Sequence, residues 1–324
     1  MARWAELDRA KGLAIILVVF GHLVAREDPA GVGWYGPLRM VVYLFHMPFF
    51  FYLSGYVAVL SGADRALTAV SARRRAWRLL VPFFGFGVLI LAGKLTLGRV
   101  LAVDNVPPGF APGLSALLWD TGHSPAPSVW YLFALFVYAT ALPVLSRSLG
   151  TVGLLALGLA LFALPAPPVA YLDRICGYFV FFAAGAAAAQ AGTMWLAAVD
   201  RFRWPALGLF AVLLLLAWSG RAPAPSAAWL LGLGLLSMPA LHGLVRGWTP
   251  PLLDWFGRFV FPIYLFNTIC IGLAKAALLP LLGWSSATFA PFAAILLAAG
   301  LFGPIAIAKI SARAAPAVQR QLIV

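Results

Sequence analysis

Long apolar runs, each interrupted by proline, glycine or a short charged stretch, recur along the whole chain. Ten such runs fall at 13–25, 38–60, 79–97, 129–145, 151–164, 175–190, 204–218, 227–245, 256–273 and 289–310. A helix needs about 20 residues to cross a hydrocarbon core of about 30 Å. The runs at 13–25 and 151–164 are short as written and are expected to extend into flanking residues. The pattern predicts an all-α, polytopic integral membrane protein with about ten transmembrane helices and no internal repeat of fixed period. Ten spans would occupy roughly 200 residues, which leaves no room for a separate soluble domain. Residues 1–324 therefore read as a single transmembrane domain.

Composition sharpens this picture. Of the 324 residues 63% are apolar and only 10% charged, against about 25% charged residues in an ordinary soluble domain. A soluble enzyme is excluded. The 31 glycines and 24 prolines lie among the apolar runs without a triplet period, which excludes collagen-like and disordered chains.

The net charge of +13 could mark a nucleic-acid binder, so the position of each cation matters more than the sum. With a cytoplasmic N-terminus, only Arg26, Arg39, Lys94, Arg99, Arg174, Arg221 and Lys275 fall on or beside the opposite face, and the other 16 of 23 Lys and Arg residues are cytoplasmic. Acidic residues divide evenly. This is the form of the positive-inside rule; it predicts both termini in the cytoplasm and no nucleic-acid partner. The stretch before Arg26 lacks a small-x-small cleavage pattern and is read as a retained span. Cys176 and Cys270 sit far apart in apolar runs and read as packing residues, with no metal-ligand spacing.

Ionisable groups within apolar spans are functional candidates by default. Lys11 and His22 are eleven positions apart, which on a helix brings them within about 20° of one face and about 16 Å apart along the axis. The alternative is a snorkelling lysine and a histidine bonded to a nearby carbonyl. His46 lies in Phe45-His46-Met47-Pro48, where the proline should kink the helix and free a carbonyl that the histidine could satisfy. Ser54 and Gly55 would let a neighbouring helix approach. In Arg73-Arg74-Arg75-Ala76-Trp77-Arg78, Arg75 and Arg78 share a face and suit phosphate binding by planar forks. The alternative is a topology determinant beside anionic lipid. Trp130 and Tyr131 open a span as interfacial belt residues or as a sugar-stacking platform. Tyr264 and Asn267 share a face, and Asn267 could bond across helices. His123 and Asp120 lie in the loop of roughly 98–128, and His242 near a span end.

Taken in order, Leu7-Asp8-x-x-Lys11-Gly12-Leu13-Ala14-Ile15 running to Gly21-His22, then Phe45-His46-Met47-Pro48-Phe49-Phe50-Phe51-x-x-Ser54-Gly55-Tyr56, then Arg75-x-x-Arg78-Leu79-Leu80-x-Pro82 resemble the acyltransferase-3 superfamily of membrane O-acyltransferases. The Phe-His-Met-Pro string resembles its fucose 4-O-acetylase-like branch. Trp130-Tyr131-Leu132-Phe133-Ala134-Leu135 and the stretch 257–266 are similar to later family motifs. The resemblance implies a cytoplasmic acyl-CoA donor, most commonly acetyl-CoA, and acylation of a hydroxyl on a carbohydrate or lipid-linked saccharide in cell-surface polysaccharide modification; the richness in Ala, Leu, Gly and Arg suggests a bacterial source and so a bacterial inner membrane. It places His22 at the essential first-span histidine and Arg75 and Arg78 at the Arg-x-x-Arg pair. Lys11 stands where much of the family has arginine, and Asn267 where many members have histidine.

The expected mechanism has Lys11, Arg75 and Arg78 holding the CoA phosphates. His22 acts as general base, with His46 orienting the acceptor or stabilising the thioester oxygen, and Trp130, Tyr131 and Asn267 contact the acceptor. Direct transfer and an acyl-histidine intermediate are both open. Competing readings are a transporter or flippase for a lipid-linked sugar, and a noncatalytic polymer-export subunit. No matching pair of broken helices supports the transporter.

Overall fold

A computed structural model describes residues 5–24, 31–65, 68–98, 106–219 and 226–314. Arg3, Arg26, Arg99, Arg221 and Arg320 of the charge count, and Ala25 at the end of the first expected span, lie outside the described residues. In chain order the helices are α1 (Ala5–Gly21), α2 (Tyr35–Tyr43), α3 (His46–Leu60), α4 (Ala69–Leu97), α5 (Phe110–Leu118), α6 (Trp130–Ala163), α7 (Leu172–Ala191), α8 (Thr193–Trp218), α9 (Ala227–Gly247), α10 (Pro251–Arg258), α11 (Val260–Leu278) and α12 (Ser286–Ala314). The protein is an all-helical, polytopic membrane protein. Among the described residues, eight helices are long and apolar enough to cross a membrane when α2 and α3 count as one span.

That count differs from ten at two places. Helix α1 has 17 residues, fewer than the roughly 20 a full crossing needs. Helix α6 carries two of the expected runs in one 34-residue element, broken at Gly150, whose φ of 63° and ψ of −174° are non-helical. A positive φ is open to glycine without a Cβ clash, so the break falls on that residue.

Helix ends depart furthest from the apolar pattern. Helix α4 starts ten residues before its apolar run because Thr68 caps it: the Ser71 backbone N–H donates to Thr68 Oγ1 (3.1 Å), and the Thr68 N–H donates to Ser71 Oγ (3.0 Å). This reciprocal box satisfies donors that the first turn leaves orphaned. The whole basic run Arg73–Arg78 is consequently helical. Helix α8 likewise begins at Thr193, well before its run at 204, and α10 is a short separate helix before α11.

The chain divides into two compact units, Met1–Phe50 with Thr193–Val324, and Phe51–Gly192. In the first unit α1 and α10 pack antiparallel through two glycines. A Cβ on Gly12 would strike the Leu253 carbonyl, and one on Gly257 would strike the Asp8 carbonyl. Around this crossing Arg246 grips Asp200 with two bonds (2.9 and 2.8 Å) and also bonds Glu6, while Arg9 donates to the Val245 carbonyl (2.9 Å) and pairs with Asp254 (3.5 Å).

In the second unit α3 and α7 cross through another glycine pair, Gly55 against the Phe182 carbonyl and Gly185 against the Tyr52 carbonyl. The close approach expected at Ser54-Gly55 is present. Beside it lies an aromatic core in which Phe51 contacts Trp130, Tyr131, Tyr138 and Tyr178 at centroid distances of 4.8–5.6 Å.

Candidate functional site

The first unit gathers hydrogen-bonding groups where α1 stops. Three side chains of α2, spaced by four and so on one face, donate to carbonyls at that end. Tyr35 donates its hydroxyl to the Phe20 carbonyl (2.8 Å), Tyr43 donates to Gly21 (2.7 Å) and Arg39 Nη1 donates to Val24 (2.7 Å). A helix C-terminus leaves carbonyls without intrahelical partners, and α2 supplies them. The helix therefore ends at Gly21 instead of running through 25, and His22 occupies the turn immediately after it rather than the middle of a helix. Gly21 is required by the same clamp, because a Cβ there would meet the Tyr43 ring at 2.5 Å.

His22 Nδ1 lies 2.8 Å from Asn267 Oδ1 on α11. Asn267 is fully buried, and its Nδ2 donates to the carbonyls of Ile263 and Tyr264, both at 2.8 Å. Two carbonyls can only accept, so the amide nitrogen must face them and Oδ1 must face the imidazole. An amide oxygen also only accepts, so His22 Nδ1 carries the hydrogen. In the neutral ring Nε2 is then the basic nitrogen. Among the described residues Nε2 has no hydrogen-bond partner, and His22 keeps partial exposure. Asn267 is thus directed at His22.

His46 opens α3 after a break at Leu44-Phe45. Its Nδ1 donates to the Val42 carbonyl (2.8 Å), and its ring lies 5.0 Å from that of Tyr43. The break comes before Pro48, which sits in the first turn of α3, where a missing N–H is tolerated. The backbone-satisfying reading of His46 therefore holds for Nδ1. Tyr43 links His46 to the His22–Asn267 pair: its ring lies against His46, and its hydroxyl bonds the carbonyl of Gly21, the residue before His22.

Lys11 lies on α1, ten residues or about 15 Å before Gly21. Arg75 and Arg78 belong to the second unit. Arg75 Nη2 donates to the Ala63 carbonyl (2.8 Å), while its Nη1 is buried without a hydrogen-bond partner among the described residues. Arg78 is exposed. Trp130 and Tyr131 are only 9% and 5% exposed. The Arg174 guanidinium lies 5.0 Å above Trp130, and the Tyr131 hydroxyl bonds Ser54 Oγ (2.5 Å). Both rings pack against Phe51 in the aromatic core of their unit.

His123 pairs with Asp120 (2.9 Å) on the surface, and buried His242 accepts from Trp195 Nε1 (3.4 Å). Among the described residues no three His, Cys, Asp or Glu side chains group as metal ligands. Sequence reasoning missed Tyr35, Arg39 and Tyr43; their recurrence every four residues in a mostly apolar stretch was the available signal.

Residues 4–309 match the Acyl_transf_3 family model, an acyltransferase domain. The chain is 32% identical over 130 residues to the nodulation protein NolL of Sinorhizobium fredii, covering 39% of this chain and 32% of that protein. It is 29% identical over 144 residues to the nodulation protein NolL of Mesorhizobium japonicum, covering 44% and 35%. The matches thus span about a third of the length of these curated relatives. No solved structure matches the chain at a significant level. A family model that takes in every helix from α1 to most of α12 shows that the chain belongs to the acyltransferase-3 family.

Proposed function

We propose that the protein transfers an acyl group, acetyl in the simplest case, from cytoplasmic acyl-CoA to a hydroxyl of a carbohydrate or lipid-linked saccharide, at a bacterial inner membrane. The observation that carries this reading is the His22–Asn267 pair, which leaves a basic nitrogen partly accessible at the end of α1. His22 Nε2 takes the proton of the attacking hydroxyl, the oxygen attacks the thioester carbon, and the carbon–sulfur bond breaks. The proton on Nε2 then passes to the departing thiolate.

The same pair favours direct transfer. An acyl group on Nε2 would leave the ring cationic unless Nδ1 lost its hydrogen, and Asn267 cannot take it because the amide oxygen that faces Nδ1 accepts a hydrogen bond but is not a base. Direct transfer also charges the ring, but only until the thiolate takes the proton, whereas an N-acylimidazolium would persist as a cation facing a neutral amide, an unfavourable arrangement. His46, tied through Nδ1, orients the acceptor beside it.

Arg75 and Arg78 hold CoA phosphate. The buried, unpartnered Nη1 of Arg75 supports this, since an orphaned guanidinium donor calls for an anionic acceptor. Lys11 adds a point charge of the same sign.

Purified protein in nanodiscs, given radiolabelled acetyl-CoA and oligosaccharide or lipid-linked acceptors, tests the proposal. His22→Ala should fold, bind acetyl-CoA and lose transfer by about 10²–10⁴-fold. Transfer at the normal rate would refute the assignment. Exchange of label between acetyl-CoA and free CoA without acceptor should be absent; its presence would refute direct transfer.

A further inference from the structure

The basic run at the start of α4 serves two separate faces. On a helix, Val70, Arg73, Arg74 and Trp77 fall within one arc of about 100°, centred about 120° from the arc of Arg75 and Arg78. The structure bears out the division. Val70, Arg73, Arg74 and Trp77 line one concavity of about 440 Å³. Arg75 turns instead to the Ala63 carbonyl. All four lining residues are exposed, Val70 and Trp77 by 61% and 58%. Among the described residues neither Arg73 nor Arg74 makes an ion pair or a hydrogen bond, and no carboxylate lines the concavity. Two arginines held side by side without counter-charge are a self-repelling arrangement that an anion relieves.

The position of this face specifies the anion. It lies one turn before the apolar stretch that begins at Leu79, on the side that the count of lysine and arginine assigns to the cytoplasm. Trp77 sits at the boundary, where an amphipathic ring is favoured at headgroup level. Val70 and Trp77 add apolar contact at either end of the charged pair. A phosphodiester whose acyl chains extend to the membrane side matches a cationic pair followed by an aromatic ring at the start of the apolar stretch. We propose that Val70, Arg73, Arg74 and Trp77 form a binding site for the headgroup of an anionic phospholipid, distinct from the Arg75/Arg78 pair assigned to the acyl donor.

The full-length protein tests this in bilayers of phosphatidylcholine with and without phosphatidylglycerol. Photoactivatable phosphatidylglycerol should crosslink to residues 70–77 of the unaltered protein, and photoactivatable phosphatidylcholine should not. Equal labelling by both lipids, or labelling confined elsewhere, would overturn the proposal. In native mass spectrometry, Arg73→Gln and Arg74→Gln should each reduce retained phosphatidylglycerol by roughly fivefold, from a contribution of about 1 kcal/mol per basic residue at an anionic surface. Arg75→Gln should leave retention unchanged. If instead Arg73→Gln and Arg74→Gln raise the KM for acetyl-CoA while lipid retention stays constant, the face belongs to donor recognition and the lipid assignment fails.

Discussion

The two units treat polar groups within apolar helices in opposite ways. In the first, the backbone is interrupted after Gly21 and again at Leu44-Phe45, and Tyr35, Arg39, Tyr43 and His46 satisfy the carbonyls those breaks expose. In the second, α3 crosses α7 without a break through Gly55 and Gly185. Two of its buried tyrosine hydroxyls are taken up within the core, Tyr131 by Ser54 and Tyr138 by the Ile175 carbonyl (2.7 Å). Broken helix ends concentrate unsatisfied carbonyls in a low-dielectric interior, and the side chains that answer them are the ones that surround His22. The contrast assigns positioning to the first unit and rigidity to the α3–α7 crossing of the second.

The comparison can be broken most severely at Gly55. Gly55→Leu forces apart two backbones in contact and should destabilise the protein by about 3 kcal/mol, measured by thermal unfolding in detergent. Unchanged stability would mean the crossing is not tight. Asn267→Ala removes the group that sets the His22 tautomer while leaving the imidazole in place. It should lower kcat by about 10–100-fold, or roughly 1.4–2.7 kcal/mol in the barrier, with the KM for acetyl-CoA unchanged in steady-state kinetics. Tyr43→Phe leaves one carbonyl at the end of α1 without its donor and should cost about 1 kcal/mol of stability, together with a several-fold loss of kcat. The smallest effect is expected at Ser54→Ala, about 0.5–1 kcal/mol by the same unfolding measurement and no change in kcat. A loss of activity there exceeding that of Tyr43→Phe would reverse the division between the units.

Most of the spans were legible because burial in lipid requires unbroken apolar runs, and that requirement is written locally. His22 and His46 were visible for the same reason, as ionisable groups within such runs. Helix ends were less legible. The start of α4 depends on a Thr68–Ser71 box outside its apolar run, and the end of α1 depends on side chains of another helix. Asn267 was noticed, but its partner is 245 positions away in sequence, and no spacing rule reaches that far. The pairs of Arg246 with Glu6 and Asp200 were invisible on the same ground. Trp130 and Tyr131 suit belt, platform and core settings alike from sequence, because an aromatic residue at a span end fits any of them; their packing around Phe51 shows only in three dimensions.

The central claim is that His22 Nε2 is the base and that Asn267 acts through it. Single-turnover acyl transfer measured for His22→Ala, Asn267→Ala and the double variant tests both parts together. Once His22 is gone, Asn267 has nothing left to orient, so the double variant should transfer no more slowly than His22→Ala alone. Independent, multiplicative losses would contradict the account, as would a His22→Ala protein that transfers at the rate of the unaltered enzyme.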